Sequence, residues 1–130
     1  MSTPDHQPSM GPKDSRYIDV ESMEWEESGL PGILKKTLYE DKERGVLTAL
    51  FKMSPGSEVP LHEHTDIEQT FMLEGTLEDK QGVITPGNYA WRPGGSVHVA
   101  RAPEGAVFLS VFFNPNRFFG PDDAVPPDAY

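Results

Sequence analysis

Glycine and proline interrupt this 130-residue chain about every eight to twelve residues. No segment between the interruptions holds a helical apolar period over three turns. A stable helix needs about ten uninterrupted residues with apolar positions three and four apart, and the chain does not offer them. With 13 prolines, 12 glycines and 36% hydrophobic residues, it suits many short strands joined by tight turns. The pattern predicts one all-β domain, a closed antiparallel sandwich or barrel. Residues 1–15, with Pro4, Pro8 and Pro12 among polar neighbours, are expected to form a loose tail in which His6 is an ordinary exposed histidine. The barrel is expected over 16–113. Residues 114–130 form an extension that Pro115, Pro121, Pro126 and Pro127 keep from continuing the last strand.

Within the barrel, strands are expected at 16–20, at 33–39 with Lys35 and Lys36 towards an edge or solvent, and at 46–53, apolar on both faces. Further strands are expected around 62–64, over 69–73 and over 89–92. Residues 76–78 and 83–84 flank the polar stretch 79–82, a hairpin signal. Residues 106–113 are almost wholly apolar, which predicts burial on both faces. Trp25, among Glu21, Glu24, Glu26 and Glu27, is expected to anchor an otherwise solvated connection.

A formal net charge of −10 offers no basic surface from which phosphate counterions are released, so nucleic acid is excluded as a partner. No apolar run approaches the ~18 residues of a membrane helix. The N-terminus lacks the charged-then-apolar layout of a signal peptide, and a cytoplasmic location is the default expectation. The absence of cysteine removes disulfides, thiolate zinc sites and thiol nucleophiles. Neither a Gly-x-Ser-x-Gly elbow nor a phosphate-binding glycine loop is present.

The chemistry concentrates in two stretches. His62 and His64 stand one residue apart, so on an extended strand they point the same way, with Glu63 opposed. A short turn after His64 brings Glu68 back to their side. Downstream, Pro93, Gly94 and Gly95 end a strand and let the backbone swing His98 inward. Imidazoles and a carboxylate converging on one point, without sulfur, suit a divalent transition metal: Fe(II), Mn(II), Ni(II), Zn(II) or Co(II). The expected ligands are His62, His64, Glu68 and His98, and four ligands on an octahedral ion leave two positions for substrate. Glu68 either completes that set or stands off as a base.

These spacings have a family likeness. Gly56-x5-His62-x-His64-x3-Glu68-x6-Gly75 resembles the first cupin motif at every fixed position, and Gly87-x5-Pro93-x-Gly95-x2-His98 resembles the second. The family's closing asparagine is replaced by Ala102, at a position that is not a ligand. From about 19 to 113 the chain is similar to the ChrR-like cupin domain, sharing Trp25, Pro31-Gly32, Ser54-Pro-Gly56, Leu73-Glu-Gly75 and the run 92–98. It also resembles small cupins that cleave acetylacetone or dihydroxyacetophenone with O₂. The resemblance implies an RmlC-like jelly-roll β-barrel and iron as the first choice of metal. It also implies a dioxygenase, an oxidoreductase that breaks a C–C bond in a small dicarbonyl or hydroxy-ketone. The alternatives are an O₂-independent isomerase, decarboxylase or hydrolase, and a non-catalytic small-ligand-binding cupin. ChrR itself carries a zinc-binding anti-sigma domain, for which this chain has no cysteines.

The pocket wall is expected from Phe51, Thr70, Met72, Trp91, Ala100, Leu109 and Val111. Arg92 and Arg101 are each able to orient an anionic enolate or carboxylate, although solvent is the ordinary place for both, and Arg92 joins Glu68 as a catalytic candidate. Cupins of this kind commonly pair. A homodimer is therefore expected, with residues 17–20 and the pair Phe118-Phe119 as interface material.

Overall fold

The computed structural model describes residues 11–125; residues 1–10 of the expected tail, His6 among them, and 126–130 lie outside the described residues. After a single 3₁₀ turn (Val20–Ser22) come eleven strands: β1 (Glu26–Glu27), β2 (Ile33–Asp41), β3 (Val46–Met53), β4 (Ser57–Glu63), β5 (Glu68–Gly75), β6 (Leu77–Glu78), β7 (Val83–Ile84), β8 (Tyr89–Arg92), β9 (Val97–Ala102), β10 (Ala106–Phe112) and β11 (Arg117–Phe118). They form two antiparallel sheets in the orders β1-β2-β3-β10-β5-β8 and β11-β4-β9-β6-β7. This is a single-domain jelly-roll sandwich. The hairpin anticipated around 79–82 is present, with Leu77 opposite Ile84 and Glu78 opposite Val83. Among the described residues no helix is long and apolar enough to cross a membrane.

Turn chemistry sets the strand lengths. Gly75 ends β5 with φ +70°, and a Cβ there would lie 2.0 Å from the Gly105 carbonyl oxygen. Only glycine allows both the left-handed backbone and that close approach. It brings the start of β10 against the end of β5, where Ala106 faces Gly75.

The core lies between the sheets and is built from Ile33, Met53, Met72, Leu77, Ile84, Ala100 and Phe108, with Phe51, Val59 and Ala90 packed against it. The inward parity of β10 is Ala106, Phe108 and Ser110, all buried. Ser110 faces Thr70 in register, and their hydroxyls are 2.9 Å apart, so each buried hydroxyl has a partner.

Three local expectations are corrected. Residues 16–20 pair with no strand; the chain there is irregular and leads into the 3₁₀ turn capped by Asp19. Lys36 is buried, not at an edge: its Nζ donates to the Val20 carbonyl at 2.8 Å and stands 4.7 Å from the centre of the Trp25 ring. The indole covers the ammonium face-on while the carbonyl satisfies it. Leu109 and Val111 lie on the opposite parity of β10 from Phe108 and Ser110 and face away from the cavity.

Candidate metal centre

β4 and β9 are neighbours, and their register places His62 directly opposite His98. His64 lies one residue beyond β4, yet its backbone continues the pairing. Its N–H donates to the Ser96 carbonyl at 2.9 Å, and its carbonyl accepts from Gly95 N–H at 2.6 Å. Gly95, at φ +91°, makes the reversal that aligns this loop with the start of β9. Two residues of extended chain carry His64 to the same side as His62. The three buried imidazoles offer ligand nitrogens that all lie within 4.8 Å of one another, a group able to hold a metal ion.

Partners outside the triad fix how each ring faces. His62 Nδ1 lies 2.7 Å from the Pro60 carbonyl, which can only accept, so Nδ1 carries the proton and Nε2 is bare. His98 Nδ1 lies 2.8 Å from Asp79 Oδ2 in the same way, leaving its Nε2 bare and 2.9 Å from His64 Nε2. That separation is close to the ~3 Å between adjacent nitrogens on one ion with metal–nitrogen bonds of about 2.1 Å. Burial, with the neighbouring histidines and Arg92 adding to it, pulls His64 down from 6.5 to about 3. His62 falls to about 4 for the same leading reason, against the pull of the Pro60 carbonyl. Burial also lowers His98, although Asp79 opposes the shift. All three are therefore neutral at pH 7 and present lone pairs, the form a cation requires. On the side of its ring away from His98, His64 Nδ1 is buried with no hydrogen-bond partner. Donor type, protonation and the spacing of the ring nitrogens together fit a divalent metal.

Glu68, the fourth expected ligand, is not brought into that group. It opens β5 opposite Arg92 of β8. Its carboxylate lies 3.7 Å from His64 Nδ1 and 3.7 Å from Arg92 Nε. Burial raises it from 4.5 to about 7, against the pull of Arg92.

Arg92 faces inward with its side chain 14% exposed and donates to Asp79 Oδ2 at 2.9 Å. Its ordinary expectation of solvent is thereby corrected, and the neighbouring Trp91 takes the outward place. Asp79 was legible only as a turn residue. Its Oδ1 does hold the β6–β7 turn through Gln81 N–H at 2.8 Å and Gly82 N–H at 3.1 Å. Its Oδ2 joins Arg92 to His98. Burial alone would raise the Asp79 carboxyl, but the His98 and Gln81 hydrogen bonds and the Arg92 charge hold it below the usual carboxylate range.

The centre opens onto a cavity of about 440 Å³ bordered by His62, His98, Glu68 and Arg92 and walled by Phe51, Val59, Leu77, Phe108 and Phe112. Of the expected wall, Phe51, Thr70 and Ala100 border it. Met72 is fully buried in the core and does not reach the cavity. Trp91, 58% exposed, lies on the outside, as do Leu109 and Val111. Arg101 points outward to Glu58 at 3.5 Å with its side chain 46% exposed. Phe118, expected from the sequence only as interface material, has its ring centre 5.6 Å from that of His62 and pairs with it across β11 and β4.

Residues 13–117 match the family model of the ChrR Cupin-like domain. No curated protein sequence matches the chain. Among solved structures, a candidate acetylacetone dioxygenase from Methylibium petroleiphilum PM1 is similar at a TM-score of 0.77 and 22% identity, over 91% of this chain and 89% of that one. An acetylacetone dioxygenase from Acinetobacter johnsonii is similar at 0.73 and 20% identity, over 92% and 86%. A chain of the complex between Rhodobacter sphaeroides SigE and the anti-sigma ChrR follows at 0.63 and 22%, over 72% and 51%. At these identities the likeness to the solved structures is one of fold.

Proposed function

The chain belongs to the ChrR Cupin-like family, and from that premise we propose that it is a metal-dependent oxygenase that cleaves a C–C bond in a small dicarbonyl or hydroxy-ketone. The observation that carries the proposal is the neutral three-histidine group facing a mostly apolar cavity of about 440 Å³. His62, His64 and His98 hold the ion, iron(II) by first choice. When bound, it would supply a Lewis acid for the substrate oxygens and for O₂.

The remaining work falls to this chain's side chains. Glu68, with a carboxyl near neutrality, takes the acidic C–H proton between the carbonyls, as a base matched to working pH does. Arg92, held in place by Asp79, stabilises the negative charge that develops on the enolate oxygens. Phe51, Phe108 and Phe112 exclude water from the reacting carbon. Dioxygen then inserts across a carbon–carbon bond, and its two oxygen atoms end in the two carbonyl fragments. The test is oxygen uptake by iron-reconstituted protein over a panel of β-diketones and aromatic hydroxy-ketones. Uptake matched by fragment formation supports the reading, and its absence across the panel opposes it.

One observation favours a second reading. A carboxyl poised near neutrality beside an ion also suits proton transfer without O₂, in an isomerase or decarboxylase. Turnover under nitrogen would select it. A homodimer is part of the proposal, supported by the exposed Tyr17 and Ile18. Light scattering of the full chain and of a chain trimmed at both ends tests it, with the trimmed chain expected to be monomeric.

A further inference from the structure

The chain returns over the metal centre after β10. Thr65 Oγ1 donates to the Pro115 carbonyl at 2.8 Å, Arg117 Nε donates to Glu63 Oε1 at 3.0 Å, and Phe118 pairs with His62. Residues 115–118 are thus a strap fastened to both flanks of the His62–His64 segment. Asn116 sits at its middle and borders the cavity.

Among the described residues, two buried side-chain polar atoms have no hydrogen-bond partner, and they are His64 Nδ1 and Asn116 Oδ1. Each such atom costs about 1–3 kcal/mol. Asn116 stands between Pro115, tied to Thr65, and Arg117, tied to Glu63, so the strap carries its amide across the residue between those two anchors, His64. The two atoms complete each other only if Nδ1 bears hydrogen. A neutral imidazole has one proton, and His64 has two claims on it. Its Nε2 faces the bare Nε2 of His98 at 2.9 Å; a proton placed there makes that bond and leaves Nδ1 a lone pair aimed at another acceptor. A cation shared by the two Nε2 atoms removes the first claim and sends the proton to Nδ1.

Resting on the metal reading above, we propose that Asn116 is the positioning residue of His64: its side-chain carbonyl accepts from Nδ1–H once a cation occupies Nε2, and metal loading thereby adds a tie at the middle of the strap 115–118, over the cavity. Partners of metal-bound histidines of this kind are worth about tenfold to hundredfold in metal affinity. The strap, held at its flanks in either state, then gains a third tie at its middle when the site is loaded.

The experiment titrates Zn²⁺ against a chromophoric chelator with the wild-type chain, Asn116→Leu, which keeps the bulk without the acceptor, and Asn116→Asp, which keeps the acceptor. We expect Asn116→Leu to lose about tenfold to hundredfold in affinity, Asn116→Asp to stay close to wild type, and Zn²⁺ to slow proteolysis within 113–120 in wild type but not in Asn116→Leu. Wild-type affinity in Asn116→Leu overturns the inference, and so does an equal loss in both variants, which would mean that only packing matters. In wild type, nitrogen NMR of the imidazoles gives a readout that needs no variant. The proton of His64 should move from Nε2 to Nδ1 on adding Zn²⁺, and an unchanged tautomer overturns the inference. A wild-type chain that binds no Zn²⁺ overturns the metal reading itself, an outcome distinct from normal binding with an unaffected Asn116→Leu.

Discussion

Replacing Asp79 with asparagine changes one oxygen to an amide nitrogen and nothing else in shape, yet no orientation of the new side chain fits. Asp79 accepts at all sides: Gln81 and Gly82 N–H at Oδ1, Arg92 Nη1 and His98 Nδ1 at Oδ2. Asparagine has a single oxygen, so its NH₂ must face either the two turn amides or the arginine and histidine donors. In the first case the β6–β7 hairpin opens. In the second, Arg92 and His98 lose their acceptor, for His98 the one that keeps its proton on Nδ1, and in both cases the Asp79 charge beside Arg92 is gone. Hydrogen bonds to charged groups contribute about 1.5–3 kcal/mol each, and the Asp79 side chain is only 5% exposed, so solvent replaces little of the loss. The expected destabilisation is about 3 kcal/mol by urea unfolding, with metal affinity down about tenfold to hundredfold in a chelator competition. Unfolding at the wild-type urea concentration together with wild-type affinity would refute the reasoning.

Three other outcomes follow from the same geometry. In metal-free protein, His62 and His64 are neutral when folded, at about 4 and about 3, but take up protons near 6.5 when unfolded; stability should therefore fall as pH drops below 6.5, by up to about 3 kcal/mol for His62 and about 5 kcal/mol for His64. Glu68 acts with the opposite sign: its folded value of about 7 against 4.5 unfolded favours the folded state in acid and costs stability as pH rises from 4.5 to 7. Two histidines outweigh one carboxyl, so urea midpoints should rise from pH 4.5 to 6.5, and a fall over that range would contradict the assignment. Gly75→Ala should cost about 1–3 kcal/mol from the backbone alone and more from the contact with Gly105, read as a lower melting temperature. Trp91→Ala should leave metal content and turnover unchanged and shift stability by no more than about 0.5 kcal/mol, whereas Arg92→Ala should abolish turnover; the reverse result would exchange the faces assigned to β8.

What was legible in the sequence, and what was not, follows one physical line. Turn residues and the two spaced motifs carry strong local constraints, so the hairpin at 79–82 and the histidines of β4 and β9 stand where spacing placed them. Parity failed where the pattern was silent. Residues 106–113 are apolar but for Ser110, so alternation has almost nothing to alternate; burial of Ala106 and Phe108 and the Thr70–Ser110 hydroxyl pair mark the inward face. At β8 the ordinary preference for tryptophan inside and arginine outside was overruled, because Asp79 and Glu68 give the guanidinium buried partners. Asp79 looked like any turn aspartate, since its second oxygen acts over a sequence distance of 19 residues. The same holds for Asn116, which comes over the His62–Thr65 stretch only because β11 returns to pair with β4.

One cation shared by His62, His64 and His98 is the centre of the proposed chemistry. Elemental analysis after anaerobic loading with iron(II) and gel filtration tests it most directly, on the wild-type chain beside His98→Ala with the fold of each checked by circular dichroism. The account predicts one iron per wild-type chain and almost none in a folded His98→Ala. A metal-free wild-type chain, or stoichiometric iron in His98→Ala, would contradict it.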